Sequence, residues 1–249
     1  MNDLRVIILA AGKGTRMKSR LPKVLHRVFG APMVYYVIRA AETLSPEEIV
    51  LIVGYRKEQV TRAVSGQNVF FVEQAEPRGT GDAVNRVRPR FDGYAGDVLV
   101  MCGDVPLVRS ETLRRLLDVH RADQPAVTVL TAVLENPHGY GRIMRNGSGL
   151  LENIVEEADA NEAQRATREV NSGVYIFHGP KLFDALAEIR PDNAKGEYYL
   201  TDAVRILRAR GERVAARDFG SPEEIAGVNT REELRKARAV LKKRGRLDG

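Results

Sequence analysis

The first stretch of this 249-residue chain whose residue types could do chemistry is Leu9-Ala10-Ala11-Gly12-Lys13-Gly14-Thr15-Arg16-Met17, followed by Leu21-Pro22-Lys23. Residues this small let backbone N–H groups come close to a phosphate. Lys13, Arg16 and Lys23 add the positive charge that a triphosphate requires. Two familiar phosphate patterns do not fit. A dinucleotide fingerprint needs a glycine three residues after Gly14, where Met17 stands, and the spacing of a P-loop is absent. A second candidate is Asp104, an acid just beyond the apolar run Val98 to Cys102. The histidines (His26, His120, His138 and His178) share no spacing that suggests a metal site or a base, and are expected to be structural or superficial.

These residues need a scaffold, and the hydrophobic pattern describes one. Leu4 to Leu9, Ile49 to Val53, Val69 to Val72, Val98 to Cys102 and Val127 to Val133 are short, β-branched runs with little alternation, as expected of strands buried on both faces. Between them lie helical stretches: one from Pro32 to Leu44, one over Gly79 to Arg90, and one towards Arg121 with Ser110 expected as its cap. Alternating strands and helices predict an α/β fold, a Rossmann-like and mostly parallel sheet with helices on both faces. Ligands then sit beyond the carboxyl ends of the strands, which puts the loops after Leu9, Val72 and Cys102 first. The second half is less regular. Gly139 to Met144, Leu150 to Glu156 and Val170 to His178 read as strands of a smaller antiparallel extension. Tyr198 to Arg210 reads as a helix and Val214 to Phe219 as a short strand. One domain over residues 1–230 is expected, with a basic C-terminal helix or tail over 231–249.

The net charge is +6, but residues 231–246 carry eight basic and two acidic side chains and so account for all of it. A basic surface suited to nucleic acid is therefore not a property of the whole chain, and no specific nucleic-acid partner is expected. In that segment Leu234, Ala237 and Leu241 share a helical face, so an exposed terminal helix with a solvated basic face is the reading. Cys102 is the single cysteine, which excludes an intrachain disulfide and fits a reducing compartment; it is expected to be inert packing. The start of the chain has an early acid, Asp3, and too short an apolar run for a signal peptide or a membrane span, so a cytoplasmic location without membrane contact is expected.

The loop from Leu9 to Lys23 resembles the N-terminal signature of sugar-nucleotide pyrophosphorylases, and further matches follow in order. They are Gln74-Ala75-Glu76 with Gly79-Thr80-Gly81, Gly103-Asp104-Val105-Pro106-Leu107, Gly139-Tyr140-Gly141-Arg142-Ile143, Ile154-Val155-Glu156, Glu169-Val170-Asn171-Ser172-Gly173, Gly196-Glu197-Tyr198-Tyr199-Leu200-Thr201-Asp202, and Gly227-Val228-Asn229. Together they look like the uridylyltransferase domain of bifunctional N-acetylglucosamine-1-phosphate enzymes, from Leu4 to Asn229. The resemblance implies transfer of the uridylyl group of UTP to N-acetylglucosamine 1-phosphate on Mg²⁺, with pyrophosphate leaving. The nearest rival is the same chemistry with glucose 1-phosphate, or with dTTP.

By the same resemblance, Ala11, Gly12 and Gly14 would line the nucleotide, with Arg16 against the triphosphate. Lys23 would lie between the α-phosphate and the sugar phosphate. Gln74 would read the imide edge of uracil, Gly79 would give the base room, and Thr80 would offer a hydroxyl. Asp104 and Asn229 would hold Mg²⁺, while Asn229 could also cap the last helix. Gly141, Glu156 and Asn171 would bind the sugar. One departure stands out. Ala158, in Glu157-Ala158-Asp159, replaces the lysine usual in this family. Bifunctional members also continue into a left-handed β-helix, whose hexapeptide repeats do not occur in these residues. A stand-alone enzyme and an excised domain are both compatible with that.

Overall fold

The computed structural model describes residues 3–245. In chain order the elements are β1 (Leu4–Ala10), α1 (Met33–Glu42), β2 (Glu48–Val53), α2 (Lys57–Ala63), β3 (Phe70–Glu73), α3 (Thr80–Asn85), β4 (Asp97–Cys102), α4 (Ser110–Asp123), β5 (Val127–Val133), β6 (Arg142–Arg145), β7 (Leu151–Val155), α5 (Glu162–Arg165), β8 (Glu169–His178), α6 (Gly179–Leu186), α7 (Asp202–Ala209), β9 (Val214–Asp218) and α8 (Arg231–Arg244). The main sheet runs β3-β2-β1-β4-β8-β5-β9. Its first four strands are parallel, with Ile7 opposite Val50 on one side and Val100 on the other.

Alternate residues of β1 feed two different cores, which explains why the strand is apolar throughout. Val6 and Ile8 face one core with Val34, Val37 and Ile38 of α1 and Leu113 and Leu116 of α4. Ile7 faces the other, with Ala83 and Val84 of α3, Leu182 of α6 and Val204 and Leu207 of α7. Burying an aliphatic side chain of this size stabilises by about 1.5–3 kcal/mol, so the sheet is held from both faces. The expected α/β architecture is present.

Several local expectations change. The segment Val170 to His178 is no peripheral extension: β8 runs antiparallel inside the main sheet, between β4 and β5. Val174, Tyr175, Ile176 and Phe177 are all buried there, and a run so apolar is satisfied by a central position. The extension is the β6–β7 pair, joined to the sheet where Arg142 pairs with Val170. The helix expected over Gly79 to Arg90 stops at Asn85, and only a 3₁₀ turn follows at Arg88–Arg90, where Pro89 lacks a donor. Ser110 is the first helical residue and not the cap of α4; Arg109 occupies that place without a side-chain bond to the helix. Asn229 is likewise not the cap of α8. Thr230 is, in a reciprocal capping box with Glu233. The terminal helix is also less solvated than its charge suggests. Leu234 and Ala237 are buried in a small third cluster with Met17, Val28, Met33, Leu107 and Val228. Residues 246–249, the end of the expected basic tail, lie outside the described residues.

No described helix is long and apolar enough to cross a membrane.

Candidate active site

Strand β1 lies between β2 and β4, the point where the strand order reverses, and loops leaving the carboxyl ends there diverge to leave a crevice. A cleft of about 300 Å³ opens at this point, lined among others by Ala11, Gly12, Lys23, Gln74, Gly79, Thr80, Cys102, Asp104 and Glu197. Seven of the thirteen candidate residues singled out from the sequence, Asp104 among them, therefore share one cavity wall.

Local geometry explains the glycines on this wall. Gly14 has φ +66°, and a Cβ there would meet the Lys23 Cβ at 2.5 Å. Only glycine lets the chain bring Lys23 this close. A Cβ at Gly12 would meet nothing within 4 Å, so its backbone is open to the cleft. Gly79 has φ +110° and its missing Cβ would strike the Tyr198 carbonyl at 2.5 Å. The contact with Tyr198 thus gives Gly79 a reason of its own, apart from any room it leaves for a base. The Lys13 Nζ lies over the ring of Tyr55, 5.6 Å from its centroid.

At the mouth of the cleft four polar side chains converge. The Lys23 ammonium donates to Asp104 Oδ2 in a very short contact and to Asn229 Oδ1 at 3.0 Å. Arg16 Nη2 donates to the same Asn229 oxygen at 2.9 Å. The Lys23 and Asp104 side chains are only 17% and 15% exposed, so their charges act in a partly desolvated setting. Three segments far apart in sequence are tied together here. Val228 N donates to the Asp104 carbonyl at 2.9 Å, and Met17, Leu107 and Val228 share the third apolar cluster beneath.

Gln74 is 6% exposed, and its side chain is oriented by two bonds from Nε2: to the Gly79 carbonyl at 3.0 Å and to Asp82 Oδ2 at 2.8 Å. Both partners are acceptors, so the amide orientation is settled and Oε1 is the end left to act as an acceptor. Thr80 Oγ1 accepts from Leu200 N at 3.0 Å, which docks the Tyr198–Leu200 segment on α3.

The remaining three candidates form a second group. A Cβ on Gly141 would lie 3.5 Å from the Asn171 Cβ and 3.6 Å from Glu156 Oε1. Asn171 sits at an irregularity in the β5–β8 pairing, between Val129 and Thr131, where a bulge re-aims a side chain. Its amide is engaged at both ends, accepting from Gly173 N at 3.0 Å and donating to the Tyr175 hydroxyl at 2.6 Å. Glu156 accepts from Thr201 Oγ1 at 3.1 Å, and burial pushes its carboxyl above the usual carboxylate range despite that bond. Burial likewise pushes the Cys102 thiol up to about 12, which keeps it protonated and inert.

Sequence reading overlooked two partners in this region. Thr201 was seen only as part of a motif, although it holds Glu156. Glu157, which looks solvated next to Glu156, is the counter-ion of Arg142, a side chain only 2% exposed. Arg142 bonds Glu157 Oε2 at 2.7 Å and also the Tyr140 carbonyl. An arginine directly preceding the apolar pair Ile143-Met144 of a strand was the available signal. The histidines stay away from the cleft lining; His120 is buried against Thr128 and Asp97.

A crevice at the switch point of a mostly parallel sheet, rimmed by a small-residue loop and cations, is the arrangement of an α/β protein that binds a phosphorylated ligand. Residues 6–211 match the MobA-like NTP transferase domain, and the chain belongs to that family. It is 48% identical over 242 residues to the Bifunctional protein GlmU of Pelotomaculum thermopropionicum, covering 97% of this chain and 53% of that protein. It is 50% identical over 243 residues to the protein of the same name from Streptomyces avermitilis, covering 96% and 50%. The chain thus spans about half the length of these curated relatives. Among solved structures, a UDP-glucose pyrophosphorylase complexed with UDP-glucose superposes with a TM-score of 0.76 at 20% identity, over 96% of this chain and 98% of that one, a likeness of fold.

Proposed function

We propose that the chain is a uridylyltransferase that joins UTP to N-acetylglucosamine 1-phosphate, releasing pyrophosphate and UDP-N-acetylglucosamine. The observation that carries this reading is the convergence of Lys23, Arg16, Asp104 and Asn229 at the open end of the nucleotide cleft. Its similarity over nearly its whole length to the proteins named GlmU supports the choice of substrates.

Two polyanions must meet at one phosphorus, so neutralisation and alignment are the main tasks. Lys23 and Arg16 would hold the phosphates and offset the charge that builds up as pyrophosphate leaves. The backbone around Gly12 would take the nucleotide. No general base is needed, because a phosphate monoester is largely ionised at neutral pH. Glu156, Asn171 and Gly141 would receive the sugar, with Thr201 fixing the carboxylate.

Asp104 and Asn229 suit Mg²⁺. Their oxygens already point at one common cation, the Lys23 ammonium, and Mg²⁺ takes few oxygen ligands from protein and the rest from phosphate and water. The ion would supply charge neutralisation across the two phosphates. The described residues contain no cluster of three or more acidic, histidine or cysteine ligands, the arrangement of an all-protein metal cage.

Pyrophosphate release from UTP, CTP and dTTP, each with N-acetylglucosamine 1-phosphate and glucose 1-phosphate in the presence of Mg²⁺, tests the reading. UTP with N-acetylglucosamine 1-phosphate should give the highest kcat/KM. No release with any pair would overturn the activity, and preference for glucose 1-phosphate would overturn the sugar.

Gln74 gives a sharper test of base choice. Its free Oε1 would accept from the N3–H of uracil, a donor that cytosine lacks at N3. Gln74→Ala should reduce the UTP over CTP preference by on the order of tenfold, as expected for losing one buried hydrogen bond. An unchanged preference removes Gln74 from the base site.

A further inference from the structure

The sugar side of the cleft is strongly acidic. Four carboxylates, those of Glu156, Asp159, Glu197 and Asp202, act on one another or on the Tyr199 hydroxyl between them. Arg205 answers Asp202 at 3.6 Å. A sugar 1-phosphate would bring further negative charge towards this region, and position 158, on the turn beside these acids, holds an uncharged alanine.

A cation does reach the region, from another segment. Residues 193–196 form a tight turn built on Asn193, whose Oδ1 accepts from Lys195 N and Glu197 N, each at 3.2 Å. Gly196, at φ +63°, closes the turn. The turn is fastened next to Ala158: Ala194 N donates to Asp159 Oδ1 at 2.8 Å. Asp159 itself belongs to the turn that carries Ala158, since its N–H donates to the Glu156 carbonyl at 3.0 Å. Lys195 thus leaves a backbone held against the 156–159 turn. Its ammonium lies 6.0 Å from the Tyr199 ring centroid, and its charge acts on Glu156, favouring the ionised carboxylate.

We propose that Lys195 supplies, from the 193–196 turn, the positive charge that position 158 lacks, and that it sets affinity for the sugar 1-phosphate. The inference rests on the uridylyltransferase reading above. It assigns Lys195 to specificity and not to the transfer step, because Lys23, Arg16, Asp104 and Asn229 form a separate cluster. A charge acting through a wet surface at this range changes affinity by about fivefold, and salt screens it.

The test uses four proteins: the wild type, Lys195→Gln, Ala158→Lys, and the double variant. KM for N-acetylglucosamine 1-phosphate, KM for UTP and kcat are measured for each by pyrophosphate release. Lys195→Gln should raise the sugar-phosphate KM about fivefold, with the KM for UTP unchanged, and the effect should shrink at high salt. Ala158→Lys should restore the KM of Lys195→Gln, yet change the wild type by less than about twofold. An unchanged sugar-phosphate KM in Lys195→Gln overturns the inference. So does an equal rise in both KM values, or an Ala158→Lys effect of the same size in both backgrounds. A wild type that releases no pyrophosphate overturns the uridylyltransferase reading and this inference together; an active wild type with an indifferent Lys195 overturns the inference alone.

Discussion

Asp104→Asn is expected to lower kcat by on the order of 10²–10³ while leaving the fold intact. The carboxylate follows β4 and reaches the point where Lys23 and Asn229 meet. Removing one preorganised charge from such a site costs that much because no solvent dipole replaces it at the moment of reaction. The swap is nearly isosteric. An asparagine oxygen still accepts from Lys23, and the Asp104 carbonyl keeps its bond from Val228 N, so the stability cost should stay near 1 kcal/mol. If Asp104 holds the ion, activity should return in part at high Mg²⁺ or with Mn²⁺, since the variant would still offer an amide oxygen. Asn229→Ala should show the same metal dependence more mildly. The measurement is kcat against metal concentration, with a thermal melt as the folding control. A folded Asp104→Asn protein with full activity at low Mg²⁺ would place the metal elsewhere.

The parallel half of the fold was legible because its signals are local. Each run such as Val98 to Cys102 is apolar at successive positions, and a strand covered on both faces needs that. Asp104 could be singled out for the same reason, as the first acid beyond such a strand. The place of β8 was not legible. Its pairing with β4 and β5 joins residues far apart in sequence, as in Thr131 with Asn171 and Val98 with Phe177, and neither strand's composition names its neighbour. The clustering of Asn229 with Lys23 spans 206 positions; only motif resemblance suggested it, while the turn chemistry of Asn-Thr suggested a cap. Thr230 takes the cap because its hydroxyl is correctly placed for Glu233 N. Ion pairs behave like tertiary contacts in this respect. Glu156 and Glu157 look alike in sequence, yet one is buried beside Thr201 and the other answers Arg142.

Lys23→Met should lower kcat by on the order of 10²–10³ too, but with the opposite effect on metal affinity. The Lys23 ammonium bonds Asp104 Oδ2 and Asn229 Oδ1, oxygens that would also serve Mg²⁺. Two cations cannot share those lone pairs without repulsion, so Lys23 must leave them, or move along the phosphates, when the ion arrives. Methionine keeps most of the length of the stem beside Gly14, where a Cβ on the glycine would strike it, and removes the charge. The bare Asp104 carboxylate should then bind Mg²⁺ more tightly in the absence of nucleotide, by about tenfold if roughly 1.4 kcal/mol of competition is lifted. Without the metal the variant should be less stable by about 1–3 kcal/mol, because a partly buried carboxylate has lost its counter-ion, and Mg²⁺ should recover that loss. Titration calorimetry with Mg²⁺ alone, thermal melts with and without the ion, and kcat at saturating metal separate the two roles. Tighter metal binding with low kcat is the expected pair of results. Weaker metal binding in Lys23→Met would mean that Lys23 organises the oxygens and does not compete for them, and an unchanged kcat would take Lys23 out of the transfer step.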